Sequence, residues 1–288
     1  MKILGIIAEF NPFHNGHKYF IDTCIKKTGA DFCIIAMSGN FVQRGTPAII
    51  NSRQRAQMAL EAGASVCLEM DSYTSTGSAE YFASGAVELL TALGCVDYLA
   101  FGSEEGKIEP LLELSKILTT EDKHYRDILR NNLSDGLTYP AAREKALSEY
   151  LGREIETIRY PNNILAIEYL KAIENVGSNM KPVTIERVDE GYNSDYLTYK
   201  YSSAKALRQR IENSYREGCK EIPEELKGSL PKNVFNILSQ NWKRGLPVVT
   251  DDFSSELIYA LTMNYERLEE FFDIPSDIAE RIRALTRS

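Results

Sequence analysis

A chain of 288 residues, 43% hydrophobic and 26% charged, has the composition of an ordinary globular protein of one large domain or two. Its 41 acidic residues against 33 basic ones leave a net charge of −8, which excludes polyanion binding by bulk charge and requires a local basic surface for any nucleic-acid partner. The longest apolar run, Phe32 to Met37, is far below the roughly 18 residues of a membrane span. Met1 to Ile7 is followed by Glu9 and no small-residue cleavage site, so neither a membrane segment nor a signal peptide is expected. Five widely spaced cysteines without a C-x-x-C pair argue against a zinc ribbon or a disulfide framework and fit a reducing cytoplasm.

In chain order, Ile3 to Ala8, Phe32 to Met37, Val66 to Met70 and Val96 to Phe101 read as short buried strands. Helical patterns lie between them at Lys18 to Lys27, Arg53 to Ala62 and Glu80 to Leu93. Asn51 or Ser52 caps the second, and Gly29, Gly63 and Gly94 stand where the three should stop. Strand–helix–strand at this spacing predicts an α/β fold, a Rossmann-like doubly wound parallel sheet. Residues 108–158 read as a polar helical insertion. Pro161 opens a helix over Asn162 to Asn175, Pro182 to Arg187 reads as a further strand, and Ser202 to Asn213 as a short helix after a tyrosine-rich loop. The expected organisation is a nucleotide-binding domain over 1–213 and a helical region over 214–288. In the latter, Leu257, Ile258, Leu261, Tyr265, Leu268 and Phe272 trace one face of a long helix, and Ser276 caps another. That last pattern reaches Ser288 without a stop signal, as a truncated helical region would.

Two of the three histidines fall in Asn11-Pro12-Phe13-His14-Asn15-Gly16-His17, directly after the first strand and at the start of the first helix. In an open parallel sheet, ligands bind beyond the carboxyl ends of the strands, so this turn lies at the expected site. His14 and His17, three apart, share a helix face. Gly16 allows a flat base to approach the backbone, and free N–H groups at the helix start suit phosphate. The competing readings are an ordinary turn with two surface histidines, or a metal pair. His-x-x-His without a third His or Cys nearby is poor zinc chemistry, and His124 lies in the helical insertion. Other phosphate loops are missing: there is no G-x-G-x-x-G, and Gly102-Ser103-Glu104-Glu105-Gly106-Lys107 is one residue short of a P-loop. Gly102 reads instead as a close-approach glycine at the end of the fourth strand, beside a ribose or adenine.

Gly5 to His17 resembles the first motif of the HIGH-type nucleotidyltransferases, and the extended form Glu9-Phe10-Asn11-Pro12-Phe13-His14-Asn15-Gly16-His17 resembles the bacterial tRNA(Met) cytidine acetate ligase family. Further matches follow in order: Met37 to Gly45 with Pro47-Ala48, Phe101-Gly102-Ser103-Glu104, and Pro161-Asn162-Asn163-Ile164-Leu165. The resemblance covers essentially the whole chain. It implies that ATP lies along Ile7, Ala8, Glu9, Phe10, Asn11, Pro12, Phe13, His14, Asn15, Gly16, His17, Lys18, Tyr19 and Phe20. Gly102, Asn162 and Arg187 correspond to further ATP contacts. Ser202-Ser203-Ala204-Lys205-Ala206-Leu207-Arg208 resembles the second superfamily motif, with Lys205 where a Thr is common. There Ser203 and Arg208 suit the β- and γ-phosphates of ATP.

The resemblance implies two steps: acetate and ATP give acetyl-adenylate, and the acetyl group passes to N4 of the wobble cytidine of elongator tRNA(Met). His14, His17 and Arg208 with Mg²⁺ are the expected catalytic set, the metal-ligand residues being undefined. Arg44 and Lys205 are candidates for an anionic substrate or RNA, and the Asp71 to Gly77 loop for the acyl pocket. The alternatives are an adenylyltransferase of a small phosphorylated metabolite and a non-catalytic ATP-binding module. Members of the family usually carry further C-terminal helices, so these 288 residues are expected to form acetyl-adenylate but to modify tRNA poorly.

Overall fold

The computed structural model describes residues 1–43, 45–187, 201–271 and 274–286. Residues 1–247 and 248–288 form two compact units. In the first, β1 (Ile3–Ala8), β2 (Phe32–Met37), β3 (Val66–Glu69), β4 (Tyr98–Ser103) and β5 (Lys181–Glu186) make one sheet in the order β3-β2-β1-β4-β5. Every pairing is parallel, with Ala8 beside Met37 at the carboxyl end. The chain winds outward through β2 and β3, then returns to the other side of β1 for β4 and β5. The switch point therefore lies between β1 and β4, where such sheets take their ligands.

Residues along β2 alternate between two apolar clusters, because successive side chains leave a strand on opposite faces. Cys33, Ile35 and Met37 join one cluster, and Ile34 and Ala36 the other. On the first face lie α1 (Asn15–Thr28), which stops at Gly29 with φ 63°, and α2 (Ser52–Glu61), which starts at Asn51. The Asn51 side chain accepts from the Gln54 N–H at 3.0 Å, as expected of an N-cap. On the second face lies α4 (Ala79–Ala92), preceded by a single helical turn, α3 (Ser72–Thr76), in the loop expected to line an acyl pocket.

Residues 108–158 form α5 (Glu109–Thr120), α6 (Lys123–Ser134) and α7 (Tyr139–Leu151), as their helical pattern predicts. They are less of a polar insertion than expected. Leu111, Leu114, Leu118, Tyr125, Ala146 and Leu147 are buried in the second cluster with α8 (Pro161–Val176), so this stretch is part of the β4-to-β5 crossover.

The boundary expected at 213/214 does not coincide with the division into units at 247/248. After α9 (Ala204–Arg216), Ile222, Leu226 and Leu230, then Val234 and Leu238 on α10 (Lys232–Asn241), and finally Trp242 and Leu246, all enter the first cluster. Their apolar side chains complete the core beneath α1 and α2. Within the second unit, α11 (Ser254–Met263) ends where the Asn264 side chain donates to the Ala260 carbonyl at 2.8 Å. The single long helix expected over Leu257 to Phe272 is broken there, a 3₁₀ segment follows over Tyr265–Glu270, and Phe272 lies outside the described residues. Arg283 on α12 (Ser276–Thr286) grips both oxygens of Glu269 at 2.7 and 2.6 Å. No helix among the described residues is long and apolar enough to cross a membrane.

Leu4 on β1 is fully enclosed, so Leu4→Ala should cost about 2–5 kcal/mol through lost packing and a residual cavity. Asn51→Ala removes one cap from an exposed helix start and should cost about 1 kcal/mol. Denaturant midpoints of the two variants check this ordering, and equal losses would contradict it.

Candidate active site

Beyond Ala8 the chain turns sharply. Phe10 takes a left-handed conformation (φ 50°), and the Asn11–Pro12 peptide is cis. Buried Asn11 accepts from the Ile49 N–H through Oδ1 at 2.9 Å, fastening the turn to the loop after β2. Phe10 and Phe13 are buried, with ring centroids 4.9 and 5.5 Å from that of His17. Both were expected along the nucleotide. Buried, they form the apolar bed on which the imidazole of His17 rests.

The two histidines cap the helix they open. The Gly16 N–H donates to Nδ1 of His14 at 3.1 Å, and the His14 N–H donates to Nδ1 of His17 at 3.2 Å. A histidine pair thus performs the reciprocal capping usually made by Ser or Thr with Glu. The rings stack at 3.7 Å between centroids, 29° from parallel. The expectation of free N–H groups at this helix start is not met. The Asn15 N–H reaches the Ser229 carbonyl at 3.0 Å, and the His17 and Lys18 N–H groups reach the His14 carbonyl.

Capping also fixes the chemistry of the rings. A nitrogen that accepts a backbone N–H carries no proton, so each neutral ring bears its hydrogen on Nε2. Protonating either ring would set a second N–H against a backbone donor. For His17, burial first, then the neighbouring His14 and Arg187, hold the pKa well below the usual 6.5. His17 therefore offers a neutral Nε2–H donor at neutral pH, and His14, capped in the same way, carries its hydrogen on Nε2 when neutral.

Three residues expected to contact ATP from distant parts of the chain come together. Arg187 Nη1 donates to Asn162 Oδ1 at 3.0 Å, and the Asn162 amide donates to Glu104 Oε1 at 2.9 Å. The aliphatic stem of Arg187 crosses Gly102, where a Cβ would lie 3.0 Å from Arg187 Cγ. The glycine expected beside a ribose or adenine is thus covered by an arginine, whose charge is felt at His17.

The second motif meets the first through two contacts. Arg208 Nη1 donates to the Asn11 carbonyl at 2.7 Å. Buried Ser229 shares a 2.8 Å hydroxyl–hydroxyl bond with Ser202, while its carbonyl takes the Asn15 N–H. Ser203 caps α9 by accepting from the Ala206 N–H at 3.1 Å. Ser229 and Glu104 escape a reading for catalytic residue types. Glu104 lies inside a quoted motif, whereas nothing in the sequence around Ser229 marks it.

Other candidates are placed less centrally. Lys18 pairs with Asp22 one turn along α1. Tyr19 is exposed and meets Tyr201 edge-on at 6.0 Å, and Lys205 is exposed on α9. Arg44 and the tyrosine-rich loop over 188–200 lie outside the described residues. His124 sits on α6 beside Tyr150, and among the described residues no group of three His, Cys, Asp or Glu is arranged to hold a metal ion.

The model of the HIGH Nucleotidyl Transferase family matches residues 1–288. A tRNA(Met) cytidine acetate ligase of Acetivibrio thermocellus is 41% identical over 99% of this chain and 69% of its own length. The protein of the same name from Caldanaerobacter subterraneus is 42% identical over 98% of this chain and 69% of its own. Among solved structures, Thermotoga maritima TmcAL bound with alpha-thio ATP superimposes with a TM-score of 0.86 at 33% identity, over 100% of this chain and 67% of that one. Its apo form gives 0.89 at 34% identity. With the family model matching from end to end, the chain belongs to the HIGH nucleotidyltransferase family.

Proposed function

We propose that the chain is an ATP-dependent tRNA(Met) cytidine acetate ligase. The observation that carries this reading is the reciprocally capped histidine pair at the switch point, in a chain 41% identical to a ligase of that name. A carboxylate oxygen of acetate attacks the α-phosphorus of ATP, the bond to pyrophosphate breaks, and acetyl-adenylate forms. The N4 amine of the wobble cytidine of elongator tRNA(Met) then attacks the acetyl carbon, AMP leaves, and the amine gives up a proton.

The residues present suit the first step. Acetate is already ionised at neutral pH, so no general base is needed. Catalysis reduces to alignment and to stabilising charge on the transferring phosphoryl group. The Nε2–H of His17 can meet that charge without being ionised itself, with the His14 ring stacked beside it. Arg187, just after β5, and Arg208 on α9 supply positive charge to the motif. Mg²⁺ would be held by the phosphates of ATP rather than by the site's own groups, which are mainly nitrogen donors, and would supply charge neutralisation there. Relatives of the same name favour this reading over a small-metabolite adenylyltransferase or a nucleotide sensor.

The test is acetate-dependent pyrophosphate release from ATP with trapping of the adenylate, followed by acetylation of elongator tRNA(Met). His17→Asn leaves an acceptor, its Oδ1, near the Nδ1 position for the His14 N–H and puts no donor at the Nε2 position. It should fold normally and lose roughly 10²–10³-fold in adenylate formation, the cost of one charge-stabilising donor. Adenylate formed at the wild-type rate by His17→Asn contradicts the mechanism. Release of pyrophosphate only with a phosphorylated metabolite favours the adenylyltransferase.

Arg208 is expected to hold the outer phosphates. Arg208→Ala should weaken ATP binding far more than AMP binding, as calorimetry would read. Equal losses for both nucleotides would reduce Arg208 to a clamp on the Asn11 carbonyl.

A further inference from the structure

Behind the turn that carries the histidines lies an arginine that reaches no solvent at all. Arg55, on the first turn of α2, is fully buried, and its fork is spent on main-chain carbonyls. Nε donates to Ile50 at 3.1 Å and Nη2 to Ser38 at 3.0 Å. Nη2 also reaches Gly39, and Nη1 reaches Glu9. The carboxylates of Glu9 and Glu69 add opposite charge nearby. The four acceptors come from three places: the residue after β1, the two residues after β2, and the end of the loop that leads into α2.

Burying a guanidinium is costly unless its donors are matched, and a well-packed apolar residue is often as stable or better. An arginine here is a poor way to fill a core. It is a good way to hold three backbone segments in one plane, because its planar fork presents donors at fixed angles that a lysine lacks. The segments it joins surround the site. Glu9 immediately precedes Phe10, whose left-handed backbone is strained and persists only when its neighbours fix it. Asn11, the next residue, is held from the other side by Arg208 and by the Ile49 N–H. The Glu9 carboxylate in turn accepts the Gln43 N–H at 2.9 Å, so turn and loop are tied twice.

We propose that Arg55 is a positioning residue for adenylyl transfer. Its fork sets the Glu9 carbonyl, and through it the turn at Phe10 and the His14–His17 pair, at a fixed distance from the loop over 38–50. Misplacement of reacting groups by about 1 Å costs about 10²-fold in rate, so loss of the fork is read in the chemical step before it is read in binding. This inference rests on the ATP-dependent activity proposed above.

Arg55→Lys keeps the cation and loses the planar fork. In single-turnover experiments on folded protein it should form acetyl-adenylate about 10²-fold more slowly, with a much smaller change in ATP affinity by calorimetry. A variant that melts earlier yet keeps the wild-type rate per folded molecule overturns the inference. Should Arg55→Lys fail to fold, the wild-type protein decides: the ¹⁵N-labelled Arg55 Nε–H resonance should shift on saturation with ATP, and an unmoved resonance overturns the proposal. A wild-type chain that makes no adenylate from acetate would sink the functional reading instead, and the ATP-induced shift of Arg55 would still judge this one.

Discussion

Two imidazoles accepting the backbone N–H groups that open one helix determine what this site can do. Each cap is worth about 1 kcal/mol, a small part of the stability of so large a chain. Its larger effect is on the proton. With both Nδ1 atoms occupied as acceptors, the hydrogen of each ring is confined to Nε2. One such donor at a developing phosphoryl charge is worth roughly 3–4 kcal/mol of barrier, several times its value as a cap. The fold uses one edge of each ring, and in the proposed reaction the opposite edge would face the phosphoryl group. This explains why the pair sits at the helix start rather than elsewhere on its face.

The rest of the unit brings distant segments to that pair. The winding order of the sheet leaves a crevice between β1 and β4, and the motif turn stands at its edge. Arg208 arrives from α9 and Arg187 from the end of β5, steered by Asn162 on α8 and by Glu104 just beyond β4. Ser229 joins the starts of α1 and α9 through its carbonyl and hydroxyl. The apolar residues between Ile222 and Leu246 hold Ser229 in place, so the core under α1 also shapes the site.

Strands, crossovers and caps were legible because each has a local cause. β-branched runs of about six residues, Gly29 in a left-handed stop and Asn51 at a helix start all act within a few positions of themselves. The histidine motif was legible for the same reason. What the sequence hid depends on partners far along the chain. Arg55 has the pattern of a solvated helix cation, and only the fold surrounds it with carbonyls. Phe10 and Phe13 belong to a motif that resembles a nucleotide wall, yet the turn of the backbone sends them into the core. At Asn264 the backbone leaves helical geometry (φ −111°, ψ 18°), a break that periodicity does not register. Helical pattern alone also extended the final region back to residue 214, because it cannot tell which core a helix joins.

The most direct measurement is the protonation state of the two rings in the working complex. Nitrogen-15 spectra of histidine-labelled protein at pH 7, with and without ATP, distinguish neutral Nε2–H, neutral Nδ1–H and imidazolium. The account predicts neutral rings with the hydrogen on Nε2 for both His14 and His17, retained when ATP binds. An imidazolium at either residue, or a proton on Nδ1, would contradict it.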